Sequence, residues 1–198
     1  MGGLVSDEDS VQFELATDME QLNFTRGKIA GEADGKTLFI SSETSGDATL
    51  FDQYNDFLTW RKTEYLVIDD GATSNEVFEL VTDNAATNSW ENEIYIAKNT
   101  GESINVLEGG EDHVFLGAGN DTVDIDASLL QASATSDGDS VTIRNVDVAN
   151  DTVTVNGENL SMTGTNIDTV VVAHDGIEYF DSNMEEVTSD GSFVAALI

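Results

Sequence analysis

Glycines and acidic residues recur with a nine-residue spacing between residues 107 and 124 of this chain. Gly110 and Gly119 are nine positions apart, and so are Asp112 and Asp121, each of which is followed two residues later by a valine. Glycine permits backbone turns that other residues disfavour, so that carbonyl oxygens can converge on one point, and each aspartate adds a hard anionic oxygen. In a chain with no cysteine and only two histidines, such oxygen ligands favour calcium over zinc. The spacing therefore predicts calcium sites centred on Asp112 and Asp121.

Residues 116–124 resemble the calcium-binding nonapeptide G-G-x-G-x-D-x-U-x of the RTX family of secreted β-roll proteins. The preceding nine residues, 107–115, keep only Gly110 of the motif glycines and form a degenerate copy. The resemblance implies a parallel β-roll, in which calcium ions lie between turns stacked one coil apart. The alternative to a metal site is a Gly-Asn-Asp turn between two ordinary strands. The positions that match the motif are Gly117, Gly119, Asp121 and Val123.

The same resemblance implies which turns would face each other. Asp121 should lie against residues 99–103, whereas Asp112 should lie either against residues 92–93 or against the turn after Asp126. We expect about one to three ions, with dissociation constants on the order of 10⁻⁴ to 10⁻³ M as in other extracellular modules. The candidate metal ligands are Asn99, Gly101, Glu102, Gly110, Asp112, Gly117, Gly119, Asn120 and Asp121.

Two residues close to the repeat are not expected to bind metal. Residues 150–153 copy residues 120–123 letter for letter, but Ala149 replaces the preceding glycine, so Asp151 is interpreted as structural. His113 occupies a motif position that accepts any residue, and we expect its side chain to be exposed.

The charge balance excludes several classes of partner. The chain has 39 acidic and 7 basic residues, a formal net charge of −32, so unaided binding to nucleic acid or to an anionic membrane is not expected. No apolar run approaches the ~20 residues needed to span a bilayer. Bound divalent cations would relieve the repulsion between acidic residues, which is an independent reason to expect calcium. Solubility, or a salty habitat, is the alternative explanation of the acidic excess.

A pattern of polar residues followed by alternating apolar residues recurs from residue 64 onward. Successive copies start 17, 10, 9 and 9 residues apart, and two nine-residue halves make one coil of a β-roll. We therefore predict an all-β chain with a short RTX-like parallel β-roll over residues 64–126. An antiparallel β-sandwich with a strand every ~9 residues has a similar rhythm and is the alternative fold. The copies start at Asn75, Asn92, Glu102, Glu111 and Asn120.

The flanks of this region are predicted to be β-rich caps. Residues 1–63 are interpreted as an N-terminal cap and residues 127–198 as a C-terminal flank. In the cap we predict strands near 11–15 and 37–41, the latter entered from an Asp34-Gly35 turn, and a short amphipathic helix over 50–62. In the flank we predict strands over 141–146, 151–155 and 168–172, separated by turns at Asn156-Gly157 and Asp175-Gly176.

The residue patterns favour a structural protein over an enzyme. Neither histidine lies in a catalytic or zinc-binding motif, and no phosphate-binding glycine loop is present. The first residues lack a secretory signal, whereas the acidic stretch and short apolar terminus after Phe180 are similar to the C-terminal signal of type I secreted proteins. These features predict a secreted calcium-binding protein that self-associates, resembling small biofilm-matrix proteins of marine bacteria. The alternative is a C-terminal RTX secretion module of a larger hydrolase or adhesin.

An extracellular polysaccharide is a further possible partner. Trp60, Tyr54 and Tyr65 could form a carbohydrate-binding surface, although packing in the core of the cap is the favoured role of these aromatic residues.

Overall fold

The computed structural model describes residues 10–14, 19, 22–27, 37–42, 48–50, 65–69, 76–81, 92–106, 109–131 and 139–192. These residues contain sixteen β-strands and no α-helix, so the predicted all-β class is confirmed. The helix was expected to start at Leu50, which instead ends a strand, and residues 51–62 lie outside the described residues. The Asp34-Gly35 turn, the apolar terminus 193–198, Tyr54 and Trp60 also lie outside them. No helix within the described ranges is long and apolar enough to cross a membrane.

The chain divides into two compact units, residues 1–82 and 83–198. In the first unit, three strands form an antiparallel sheet, and β1 pairs in parallel with β5, which pairs antiparallel with β6. Alternating burial along these strands places Phe24, Leu38, Leu66 and Phe78 in the core. The strands are β1 (Ser10–Glu14), β2 (Leu22–Gly27), β3 (Thr37–Ser42), β4 (Ala48–Leu50), β5 (Tyr65–Asp69) and β6 (Glu76–Val81).

Six consecutive strands of the second unit alternate between two parallel ladders, β7-β9-β11 and β8-β10-β12. In the first ladder, Ile94 pairs with His113 and His113 pairs with Thr142. In the second, Ser103 pairs with Thr122 and Thr122 pairs with Thr152. The strands are β7 (Glu93–Ile96), β8 (Ser103–Val106), β9 (Glu111–Phe115), β10 (Thr122–Ile125), β11 (Ser140–Arg144) and β12 (Thr152–Val155).

An insertion separates the second pair of these strands from the third. Equivalent residues are 19 positions apart between the first two pairs but 30 apart between β10 and β12. The extra residues leave the sheet after β10 at a turn in which the Ser128 N–H bonds to Asp126 Oδ1. They return where the Asp139 N–H donates to the Gln131 carbonyl at 2.9 Å and the Gln131 N–H donates to Asp139 Oδ2 at 3.0 Å. The parallel register therefore continues beyond residue 126.

The two ladders differ in how they are covered. In the β8-β10-β12 ladder one face is apolar and buried, through Ile104, Val123 and Val153, and the other is polar, with Asp124 bonded to Thr154. In the β7-β9-β11 ladder both faces are buried, because Tyr95, Val114 and Ile143 on one face and Ile94 and Phe115 on the other all lie below 6% exposure. Parallel sheets are typically covered on both faces in this way.

This double burial changes the interpretation of His113. It lies on the same face as Ile94 and Phe115 and is 4% exposed, so the expectation of an exposed side chain is wrong. Burial, followed by the nearby Arg144 guanidinium, lowers the pKa of His113 to about 3. The imidazole is therefore neutral in the folded protein at neutral pH.

After β12 the strand pairing becomes antiparallel. β13 pairs with β12 through an Asn156-Gly157 turn in which both residues have positive φ, as the sequence predicts for a tight hairpin. β14 pairs antiparallel with β11, and β15 and β16 follow it as a meander. These strands are β13 (Glu158–Asn159), β14 (Thr169–Ala173), β15 (Gly176–Phe180) and β16 (Glu186–Val187).

Candidate cation site between stacked turns

The turns that precede β8 and β10 pack directly against each other. Gly101 and Gly119 have φ of +79° and +127°, which L side chains rarely adopt. A Cβ atom on Gly119 would lie 2.4 Å from the Gly101 nitrogen, and one on Gly117 would lie 2.3 Å from the Lys98 carbonyl oxygen. The glycines are therefore required for close approach of the turn 98–102 to the turn 117–121.

Reciprocal side-chain hydrogen bonds join these two turns. Asn99 Oδ1 accepts from the Ala118 N–H at 3.2 Å, and Asp121 Oδ1 accepts from the Glu102 N–H at 2.7 Å. The Asn99 side chain bonds to a residue 19 positions later in the chain, and the Asp121 side chain bonds to a residue 19 positions earlier. Asp121 therefore lies against the 99–103 turn, as the resemblance implies.

The turns before β7 and β9 repeat the arrangement. Asn92 Oδ1 accepts from the Glu111 N–H at 3.0 Å, and Asp112 Oδ1 accepts from the Glu93 N–H at 3.0 Å. Of the two positions expected for Asp112, the structure has the one beside residues 92–93. In the third strand of this ladder, β11, Val141 is paired with Asp112, so this row of carboxylates ends at β9.

The row in the other ladder continues into its third strand, β12. Asp151 Oδ1 accepts from the Asp121 N–H at 2.9 Å, and Asp151 Oδ2 accepts from the Asp147 N–H at 2.8 Å. Glu102, Asp121 and Asp151 therefore occupy equivalent positions, each just before its strand, and we refer to these three residues as the acidic column.

Asp121, at the centre of the acidic column, is the most buried of its three residues. The residue is 1% exposed, and no hydrogen-bond donor among the described residues reaches its Oδ2 atom. Burial is the largest cause that raises the pKa of Asp121, and the negative charges of Asp151 and Glu102 raise it further. Hydrogen bonds from the Glu102 and Gly117 N–H groups lower the pKa but do not cancel this effect. Because burial and like charges both disfavour the ionised form, a cation beside Oδ2 would stabilise this carboxylate.

One cation of the protein itself already lies at the edge of the acidic column. The Glu102 side chain is 5% exposed, its Oε2 atom accepts from the Lys98 N–H at 2.8 Å, and its Oε1 atom is paired with Lys98 Nζ. The Lys98 side chain is 45% exposed. A single lysine thus contacts both oxygens of a nearly buried carboxylate.

The structure places all nine predicted ligands in two stacks of turns. Asn99, Gly101, Glu102, Gly117, Gly119, Asn120 and Asp121 lie in the stack before β8 and β10, whereas Gly110 and Asp112 lie with the β7 and β9 turns. Among the described residues, no group of three His, Cys, Asp or Glu side chains has an arrangement that could hold a metal ion by itself. An ion here would therefore need backbone carbonyl and amide oxygens in addition to carboxylates, which is a donor set that calcium accepts.

Three residues of the site were not predicted. Asn92 and Asn99 make equivalent bonds, but only Asn99 was singled out as a ligand, although both precede a strand that opens a 19-residue repeat. Asp151 was interpreted as structural, which agrees with its two backbone hydrogen bonds, but its place in the acidic column was missed. The identity of residues 150–153 to residues 120–123 was the sequence feature that could have placed Asp151 in the same position as Asp121. For Lys98 the sequence offered no signal, because residues 98–102 form a turn in which the i, i+4 rule for helices does not apply.

No protein-family model, curated protein or solved structure matches this chain.

Proposed function

We propose that this chain is a secreted calcium-binding structural protein that folds and self-associates in the presence of calcium, as a component of an extracellular or biofilm matrix. The observation that carries the proposal is the acidic column, in which the Oδ2 atom of Asp121 is buried beside the Asp151 and Glu102 carboxylates without a donor among the described residues.

We further propose that the six alternating strands form a short parallel β-roll. Two parallel ladders with a 19-residue repeat, glycines at the stacked turns and an aspartate before each of β9 and β10 support this assignment. The antiparallel strands β13 to β16 would then form a cap on its third coil.

Calcium in this β-roll would be held by Asp121 Oδ2 together with oxygens of the neighbouring turns. Glu102, Asn99, Asn120 and the carbonyls beside the motif glycines supply hard oxygen atoms in the same stack. When bound, the ion supplies two positive charges where burial and like-charge repulsion disfavour the ionised carboxylate. Asp112 and the β7 turn would form a weaker second site, because the third coil has Val141 at the equivalent position.

Self-association is proposed to use the exposed edge of the β8-β10-β12 ladder. The sheet order is β13-β12-β10-β8, so β8 has a strand neighbour on one side only among the described strands. The chain has no proline, and only 7 basic residues against 39 acidic ones, so the usual protection of a strand edge is sparse. Calcium would lower the repulsion between two copies and permit their edges to pair.

Calcium-dependent folding provides the test. Circular dichroism and thermal melting would be recorded in chelator, in calcium and in magnesium at equal ionic strength. A ligand that binds only the folded form stabilises it by about 2.7 kcal/mol at a hundredfold excess over its dissociation constant, so calcium should raise the melting temperature by several degrees. Identical spectra and melting temperatures in calcium and in chelator would refute the proposal, and an equal response to magnesium would refute a site selective for calcium.

A further inference from the structure

Lys98 contacts the acidic column through both its backbone N–H and its ammonium group. It is one of only 7 basic residues in a chain with 39 acidic ones. Its carbonyl oxygen packs closely against Gly117, so its backbone has a fixed position in the stack of turns. Its ammonium group is paired with Glu102 Oε1, and its own N–H bonds to Glu102 Oε2 at 2.8 Å.

Glu102 also differs from the other two members of the acidic column. Asp121 and Asp151 each direct Oδ1 to the backbone of the preceding coil, at 2.7 and 2.9 Å. Glu102 stands in the first coil, and its carboxylate turns back onto Lys98 of its own turn. Its side chain is nevertheless only 5% exposed, so its charge is held close to the Asp121 carboxylate. Neutralisation of Glu102 by Lys98 therefore removes a negative charge that lies close to Asp121.

We propose that Lys98 is a tethered counter-cation of the acidic column. Its ammonium group neutralises the first-coil carboxylate that a bound divalent cation would otherwise neutralise, and so weakens the binding of such a cation to the column. This inference rests on the proposed function, because it requires the acidic column to bind a divalent cation. A neutral side chain at position 98 should leave the column short of one positive charge, make folding more dependent on calcium, and increase calcium affinity by about tenfold.

The test compares three single variants with the wild type. Lys98→Met removes the ammonium group but keeps an unbranched apolar stem, and Lys98→Arg keeps the charge. Lys36→Met removes one positive charge from the other unit of the chain and is the matched control. Each protein would be stripped of metal and titrated with calcium chloride while binding heat and melting temperature are measured. We expect Lys98→Met to melt at a lower temperature than wild type in chelator, and to bind calcium about tenfold more tightly, while both other variants follow the wild type.

A double variant locates the effect. Adding Glu102→Gln to Lys98→Met removes the carboxylate that the lysine neutralises, and the gain in calcium affinity should disappear. If the double variant keeps the gain, the cation binds away from the acidic column and the inference is wrong. If Lys98→Met does not fold in chelator, folding upon calcium addition supports the inference, and failure to fold at millimolar calcium overturns it.

The outcomes separate this inference from the proposed function. A wild type that binds calcium beside a Lys98→Met variant with unchanged affinity overturns the inference alone. A wild type that does not respond to calcium, beside a Lys98→Met variant that does, supports the inference and overturns the proposed function. The absence of any response in both proteins overturns both.

Discussion

Asp151 accepts a 2.9 Å hydrogen bond from the backbone N–H of Asp121, although the two residues are 30 positions apart. The equivalent bond between the β8 and β10 turns, from the Glu102 N–H to Asp121, spans 19 positions. The insertion between β10 and β11 therefore lengthens the chain between paired strands without changing the register of the acidic column. The carboxylates of Asp121 and Asp151, each just before its strand, bond to the residue just before the preceding strand of the ladder.

Replacement of Asp151 should reveal how much this bond stabilises the third coil. Asp151→Ala removes the acceptors of the buried Asp121 N–H and of the Asp147 N–H, so we expect a loss of about 1–3 kcal/mol in the free energy of unfolding. Asp151→Asn keeps one acceptor oxygen and should lose less. Urea unfolding of both variants checks this, and equal losses for Ala and Asn would show that the hydrogen bonds are not the source of the stability.

Gly119 should tolerate no side chain, in contrast to a second glycine with positive φ. Gly119→Ala places a Cβ atom 2.4 Å from the Gly101 nitrogen at a φ of +127°, so the turns must separate, and we expect a loss of more than about 2 kcal/mol. Gly157→Ala is the control, because Gly157 has a φ of +79° but open space around it, and it should lose about 1 kcal/mol. Similar losses in the two variants would mean that the stacked turns are not closely packed in solution.

The buried His113 should make the free energy of unfolding depend on pH between about pH 6.5 and 3. Its folded pKa is lowered to about 3 by burial and by Arg144, so the unfolded chain takes up a proton near 6.5 while the folded chain does not. The stabilisation is fully present above pH 6.5 and is lost as the pH falls, at about 1.4 kcal/mol per pH unit.

His113→Gln should remove this slope, whereas the exposed His174→Gln should keep it. Glu111 Oε1 lies 3.9 Å from His113 Nε2 and would stabilise the protonated ring, which acts against the shift. Urea unfolding at several pH values isolates the contribution of His113 from that of the carboxylates, because only the difference between variant and wild type is compared. A wild type and a His113→Gln variant with parallel pH profiles would contradict the neutral buried imidazole.

The sequence predicted the strands better than it predicted their surroundings. The alternation of apolar residues located β9 and β10. The resemblance implied the turn that Asp121 contacts and gave the turn at 92–93 as one of two alternatives for Asp112. The sequence did not predict that β11 and β12 continue the two parallel ladders, because the insertion at 126–139 breaks the spacing, although Asp151 lies in register. The burial of His113 could not be read from its motif position, because that position specifies which face of the strand it is on and not what covers that face. Lys98 was missed because its contact depends on the conformation of a single turn.

Calcium should also control the oligomeric state of the protein. Since β8 has one strand neighbour among the described strands and each copy carries a formal charge of −32, association should require neutralisation of the acidic turns. Light scattering across a calcium series at several protein concentrations should show a rise in mass that chelator reverses. A replacement of Asn105 by lysine, on the half-buried polar face of β8, should reduce this rise while leaving the melting temperature close to that of wild type. A monomeric mass at millimolar calcium and high protein concentration would leave the matrix role without a mechanism.

Calorimetric titration of calcium into the chelator-treated protein tests the central claim most directly, if wild type is compared with Asp121→Asn. The asparagine keeps an oxygen that can accept from the Glu102 N–H, so the stacked turns are retained while the buried charge is removed. Asp175→Asn, at an exposed turn, is the control for loss of one charge. The account predicts that Asp121→Asn binds calcium at least about tenfold more weakly, a loss of about 1.4 kcal/mol, while Asp175→Asn matches the wild type. An unchanged isotherm for Asp121→Asn would contradict the assignment of the acidic column as the calcium site.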